Sequence, residues 1–129
     1  MTRPQSDARV ERWLEDANDD DLYLSAISLG ELVKGIGVLP IGARRRNELQ
    51  LWLDESLHPW FAGRILAVDE KVAERWGALA ALVPSQGRHL SVTDGLIAAT
   101  ALEHDLTLVT RNVKDFASLG LSVLNPWDS

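Results

Sequence analysis

Cysteine is absent from the 129 residues, so disulfides and thiolate metal sites are excluded. Histidine is scarce. His58, His89 and His104 are scattered and lack metal-ligand spacing, which argues against a zinc centre built on imidazole. No apolar run is long enough to cross a bilayer. The opening Met1-Thr2-Arg3-Pro4-Gln5-Ser6-Asp7 has no signal-peptide core. The expectation is a cytoplasmic protein with no membrane partner. Positive charge is in deficit: the net charge of −6 argues against broad electrostatic capture of nucleic acid. A small site whose phosphates are bridged by cations stays open. Repeats, low-complexity tracts and linkers are also missing, so residues 1–129 read as a single domain.

What is present is an ordinary globular composition, 46% apolar and 25% charged. Asp7 to Ala17 places Val10, Trp13, Leu14 and Ala17 on one helical face. Asn18-Asp19-Asp20-Asp21 breaks that pattern. Leu22 to Ile27 has strand length, and Leu29 to Ile36 looks helical. Ala43 to Leu57 predicts a helix with the stripe Leu49, Trp52, Leu53 and Leu57. Ile65 to Val68 predicts a strand. Asp69 caps a helix with the stripe Val72, Ala73, Trp76, Ala80 and Val83. Gln86 to Leu90 is a loop, and Ser91 opens a very apolar helix through Leu102. Leu106 to Val109 is a strand, Val113 to Leu119 a short helix, and Leu121 to Leu124 a last strand. Helices alternating with short apolar strands predict an α/β fold, a parallel sheet with helices on both faces. Its site should form beyond the carboxyl ends of the strands.

Three acids stand out. Ser28-Leu29-Gly30-Glu31, Ser91-Val92-Thr93-Asp94 and Asn112-Val113-Lys114-Asp115 each set an acid three residues after a capping residue. Taken singly, each reads as a capping box, with the acid answering the helix dipole. Position argues for more. Asp94 shares a face with Ile97, Ala98 and Ala101, and a part-buried acid is costly unless paired or metal-bound. Glu31 and Asp115 follow strand ends. Gly30, Gly35 and Gly95 nearby would let a ligand approach. Gathered acids repel one another unless a divalent cation neutralises them, and an all-oxygen set suits Mg²⁺ or Mn²⁺. A water bound to such a cation can lose its proton and attack a phosphodiester, so no histidine or serine nucleophile is required.

Ser25 to Ile36 (SAISLGELVKGI), Ser91 to Phe116 (SVTDGLIAATALEHDLTLVTRNVKDF) and Leu124 to Trp127 (LNPW) resemble the VapC/FitB type of PIN-domain protein. The resemblance covers nearly the whole chain, with DGLIAATA and VTRNVKDF its most specific parts. It implies a PIN-like three-layer fold and the toxin of a bacterial type II toxin–antitoxin system. The implied activity is a Mg²⁺- or Mn²⁺-dependent endoribonuclease. Glu31, Asp94 and Asp115 would be catalytic and hold the metal; Thr110 and Asn112 would orient water or phosphate. Arg111 is read either as an RNA contact or as surface charge. The implied partners are an RNA substrate, an inhibitory antitoxin and a second copy of the chain, with operator DNA reached only through the antitoxin.

The chain departs from the pattern in one place. The family begins with a central apolar strand ending in a metal-binding aspartate, and Met1 to Asp7 resembles the loop that follows it. The expectation is a PIN domain incomplete at its N-terminus, weakly active or inactive. Two explanations stay open: a start assigned too late, or a strand truly lost. The second gives the alternative function, an inactive PIN-like remnant that binds an antitoxin and contributes to operon regulation. Among other residues, Arg44-Arg45-Arg46 opposes the dipole of a helix start, which suits either a partner or a solvated face. Trp13, Trp52 and Trp76 fit helix stripes. Trp60 and Trp127 suit either an interface or packing under a loop.

Overall fold

Asp7 caps the first described helix, α1 (Ala8–Asp16), in a computed structural model that describes residues 7–86 and 89–128. The stretch before Asp7 and the centre of the Gln86–Leu90 loop lie outside the described residues. Asp7 Oδ1 accepts the Arg9 backbone N–H at 2.8 Å, and the Arg9 guanidinium meets the same carboxylate at 3.1 Å. Those bonds from Arg9 hold the Asp7 carboxyl below its usual range. The chain forms two compact units, residues 1–66 and 67–129.

In the first unit, β1 (Leu24–Ser25) pairs in parallel with β2 (Ile65–Leu66), Leu24 opposite Ile65 and Ser25 opposite Leu66. The strand is shorter than the predicted Leu22–Ile27 because Ser25 becomes a cap. Its hydroxyl accepts the Ile27 N–H at 3.1 Å and starts α2 (Ala26–Gly37) at once. The predicted Ala43–Leu57 helix is α3 (Arg44–Trp52) followed by a π-helical turn over Leu53–Leu57 and a short α4 (His58–Trp60). Pro59 explains the wider turn: it has no N–H to give the Glu55 carbonyl, and its ring crowds that group. The expected stripe is nevertheless intact. Leu49, Trp52, Leu53 and Leu57 are all buried, with Ile36 and Phe61.

Arg64 ties this unit's ends together. Its Nη1 donates to the carbonyls of Asp19 and of Leu22, the latter at 2.8 Å, and its Nη2 donates to the Trp60 carbonyl. The guanidinium also sits over the Phe61 ring, 5.5 Å from its centre. A positive φ of 79° at Gly63 turns the chain tightly from α4 into Arg64.

The second unit is built on α5 (Glu70–Leu82) and α6 (Val92–Glu103). Asp69 caps α5 as expected, accepting the Val72 N–H at 2.9 Å. Ser91 caps α6. β3 (Leu108–Val109) pairs in parallel with β4 (Val123–Leu124), with α7 (Val113–Phe116) between them. β3 begins later than predicted because Leu106 still serves the end of α6, its N–H donating to the Ala101 carbonyl at 2.8 Å. Val72, Leu79, Val83, Ala98, Ala99, Phe116 and Leu119 form the core. Both strand pairs are parallel, as the alternating pattern required.

Gly95 sets how closely α5 and α6 approach. A Cβ there would stand 2.8 Å from Trp76 Cδ1 and Nε1. Gly95 thus serves packing rather than ligand access. Gly30 and Gly35 have nothing within 4 Å of a would-be Cβ.

Two stability tests follow from these contacts. Gly95→Ala should destabilise by about 1–2 kcal/mol in urea unfolding, because the overpacking cost exceeds the roughly 1 kcal/mol that alanine gains in a helix. A stabilised variant would show that the Trp76 ring yields freely. Arg64→Ala should cost about 2 kcal/mol through its charge-assisted bonds to carbonyls. A change within experimental error would show those bonds exchange freely with water.

Candidate functional site

Glu31 lies in the interior of α2, not at its start. Ser25 is the cap and Ala26 the first helical residue, so Glu31 is six residues in. The expected capping role of Ser28 is therefore corrected: the helix begins earlier, and Glu31 cannot answer its free N–H groups. Glu31 is exposed, and its carboxylate has no hydrogen-bond or ion-pair partner among the described residues. The simplest structural explanation for this acid is removed.

Asp94 behaves differently. The Ser91 hydroxyl accepts the Asp94 N–H at 3.1 Å, so Ser91 caps α6 as expected and Asp94 is the acid in its first turn. It is half-buried, and its residue sits directly before the buried Gly95. Asp94 thus answers the helix dipole, and its carboxylate forms no ion pair among the described residues.

Asp115 stands in the first turn of α7 and donates its N–H to the Asn112 carbonyl at 3.1 Å. Asn112 occupies the cap position, but its side chain makes no cap hydrogen bond. The Thr110 hydroxyl takes the local role instead, accepting the Asn112 N–H at 3.1 Å. The expected Asn112 cap is thereby corrected, and its amide is left for another task. Thr110 also ends β3, its N–H donating to the Leu124 carbonyl at 3.0 Å. The Arg111 guanidinium lies over the Trp127 ring, 5.9 Å from its centre, a cation–π contact. α6 and α7 touch, so Asp94 and Asp115 head neighbouring helices in one unit. Glu31 belongs to the other unit.

Among the described residues, no group of three or more His, Cys, Asp or Glu stands close enough to hold a metal ion. Mg²⁺ commonly keeps several waters and uses only one or two carboxylates. The acids offer oxygen donors of that kind. Sequence reasoning missed two residues that share a cavity with Glu31, namely Arg45 and Trp52. Their spacing with Leu49, four and then three residues, was the available signal for a common helix face.

Comparisons with known proteins place this arrangement. The model of the PIN domain family matches residues 2–120, and the chain belongs to that family. Among its relatives is the toxin FitB of Neisseria gonorrhoeae, 40% identical over 125 residues, covering 97% of this chain and 89% of FitB. The VapC ribonuclease Y4jK of Sinorhizobium fredii is 34% identical, covering 99% of this chain and 91% of that protein. The crystal structure of FitAcB from Neisseria gonorrhoeae superposes with a TM-score of 0.88 at 39% identity, covering 98% of this chain and 91% of that one. The resemblance read in the sequence to VapC and FitB proteins is borne out, as is the PIN-like α/β fold. No described helix is long and apolar enough to cross a membrane.

The cap assignments are directly testable. Ser25→Ala and Ser91→Ala should each cost about 1 kcal/mol in thermal unfolding, and Ser28→Ala much less. A Ser28→Ala loss equal to that of Ser25→Ala would restore the later helix start.

Proposed function

We propose that the chain is the toxin of a VapBC-type toxin–antitoxin pair and a divalent-metal-dependent endoribonuclease. The PIN-domain match over residues 2–120 carries this reading best. The chain's relatives, a toxin and a ribonuclease, support the same class. The family model runs across both units without a break, which supports reading residues 1–129 as one PIN domain. The natural setting is a cytoplasmic homodimer. The antitoxin partner is supported by a similar solved structure, a toxin–antitoxin complex from Klebsiella pneumoniae, and operator DNA, met through that partner, by the similar structure of FitAB bound to a DNA fragment.

Glu31, Asp94 and Asp115 would supply carboxylate oxygens to Mg²⁺ or Mn²⁺. When bound, the cation provides an activated water and neutralises charge developing on the phosphate. The chain's own residues do the positioning. The Thr110 hydroxyl already accepts the Asn112 N–H, so its own hydrogen is free to point at a phosphate oxygen or water. The Asn112 amide, spared from capping, can orient the same group. Arg111, lying over Trp127, offers a charged donor to the RNA backbone.

The second reading is an inactive PIN remnant that binds an antitoxin and helps regulate its operon. Cleavage of a fluorogenic RNA by the purified full chain separates the two. Activity should require Mg²⁺ or Mn²⁺, vanish with EDTA, and fall by about 10² or more in Asp94→Asn, with circular dichroism unchanged. As a mere dipole partner, Asp94 would cost only about 0.3–1 kcal/mol of stability. Metal-independent cleavage, or Asp94→Asn at full activity, would sink the nuclease assignment. A chain that cleaves nothing under any metal would support the remnant.

A further inference from the structure

β3 and β4 run in parallel, with Val109 opposite Leu124, so both leave the sheet at the same edge. Each does so through the same kind of turn. Thr110 Oγ1 accepts the Asn112 N–H at 3.1 Å, and Asn125 Oδ1 accepts the Trp127 N–H at 2.9 Å. Asn125 Nδ2 also donates to Asp128 Oδ2 at 3.1 Å, and the intervening Pro126 is fully buried. Those contacts anchor the backbone that carries Trp127. The exposed Arg111 lies over the Trp127 ring and forms no ion pair among the described residues. A half-buried indole and an uncompensated cation thus stand at the strand edge that holds Thr110 and Asn112.

We propose that the Arg111–Trp127 pair is a stacking site for an unpaired nucleobase of the RNA. This rests on the ribonuclease reading above, which puts a backbone phosphate at Thr110 and Asn112. Charge balance is the reason a base site is needed. The chain carries a net charge of −6, which works against broad attraction for phosphates. Stacking escapes that balance, because every base offers a flat π face. Aromatic rings and guanidinium planes are the surfaces on which unpaired RNA bases stack. Arg111 serves both needs: its face meets the base, while its N–H edge offers donors to base or phosphate oxygens. The base must be unpaired, because a duplex keeps its base faces inside the helical stack.

The test is an NMR titration of the ¹⁵N-labelled full chain, in EDTA, with adenosine monophosphate and uridine monophosphate. Ribose 5-phosphate and N-acetyltyrosinamide run in parallel. The five tryptophans give five indole signals, and that of Trp127 is the one lost in Trp127→Leu. The expected result is a saturable shift of that signal with one or both nucleotides. Ribose 5-phosphate, which keeps the phosphate and lacks the base, should leave it in place. Arg111→Lys keeps the charge and loses the flat face, and should weaken nucleotide binding about fivefold or more. An unmoved Trp127 indole, an equal response to ribose 5-phosphate, or undiminished affinity in Arg111→Lys overturns the proposal. So does a stronger response to N-acetyltyrosinamide, which would assign the pair to a protein surface. None of these probes has an internucleotide bond to cut, so the readout is independent of cleavage. A chain that cuts RNA without the indole shift keeps the nuclease reading and loses the base site; a shift in a chain that cuts nothing does the reverse.

Discussion

The close approach of α5 and α6 is the constraint on which the second unit depends. Gly95 faces the Trp76 ring at a distance that excludes even a methyl group. Ala98 and Ala99, on the same helix, are completely buried. Small residues let the two helices meet closely, and dispersion contacts grow steeply as the gap closes. The polar members fit around that contact. Thr100 is buried but turns its hydroxyl back to the Leu96 carbonyl at 2.7 Å, so no donor is stranded. Arg75 and Glu103 meet at 2.9 Å on the exposed rim, where an ion pair adds little. Asp94 is therefore held one residue from the tightest point of the unit. A carboxylate on so rigid a support loses little freedom when it engages a ligand.

The first unit solves a different problem. Its strands are two residues long and contribute few ladder bonds. Arg64 compensates by collecting carbonyls from separate segments, a task that backbone pairing performs in longer sheets. The core of Ile36, Leu49, Trp52, Leu53, Leu57 and Phe61 supplies the apolar burial. The π turn keeps that stripe continuous past Pro59. Among the described residues, Arg45 and Trp52 each keep one buried donor without a hydrogen-bond partner, and both residues line the cavity that Glu31 lines.

Capping separates the three acids into distinct physical cases. Glu31 is past the reach of the helix start, Asp94 is in the first turn behind a working serine cap, and Asp115 follows an asparagine that does not cap. One sequence pattern, a capping residue followed by an acid, thus covers three different local structures. The reason is that a cap is defined by where the chain leaves extended geometry. At Ser25 the preceding strand ends three residues before Ser28, so the better-placed hydroxyl takes the N–H first.

Periodicity by itself determined the helices, the parallel pairing class and the buried stripe of α3, because side-chain spacing must follow helical and strand geometry. Motif resemblance determined the family, which the comparisons bear out. Strand lengths were not legible, since Ser25 and Leu106 are drawn into neighbouring helices by hydrogen bonds that composition does not reveal. Nor was the purpose of Gly95, which only the facing Trp76 ring explains. Arg45 looked like one of three solvated charges, and Trp52 like plain core. Only tertiary structure hid one donor of each from solvent, because burial depends on what folds over a side chain and not on the chain around it.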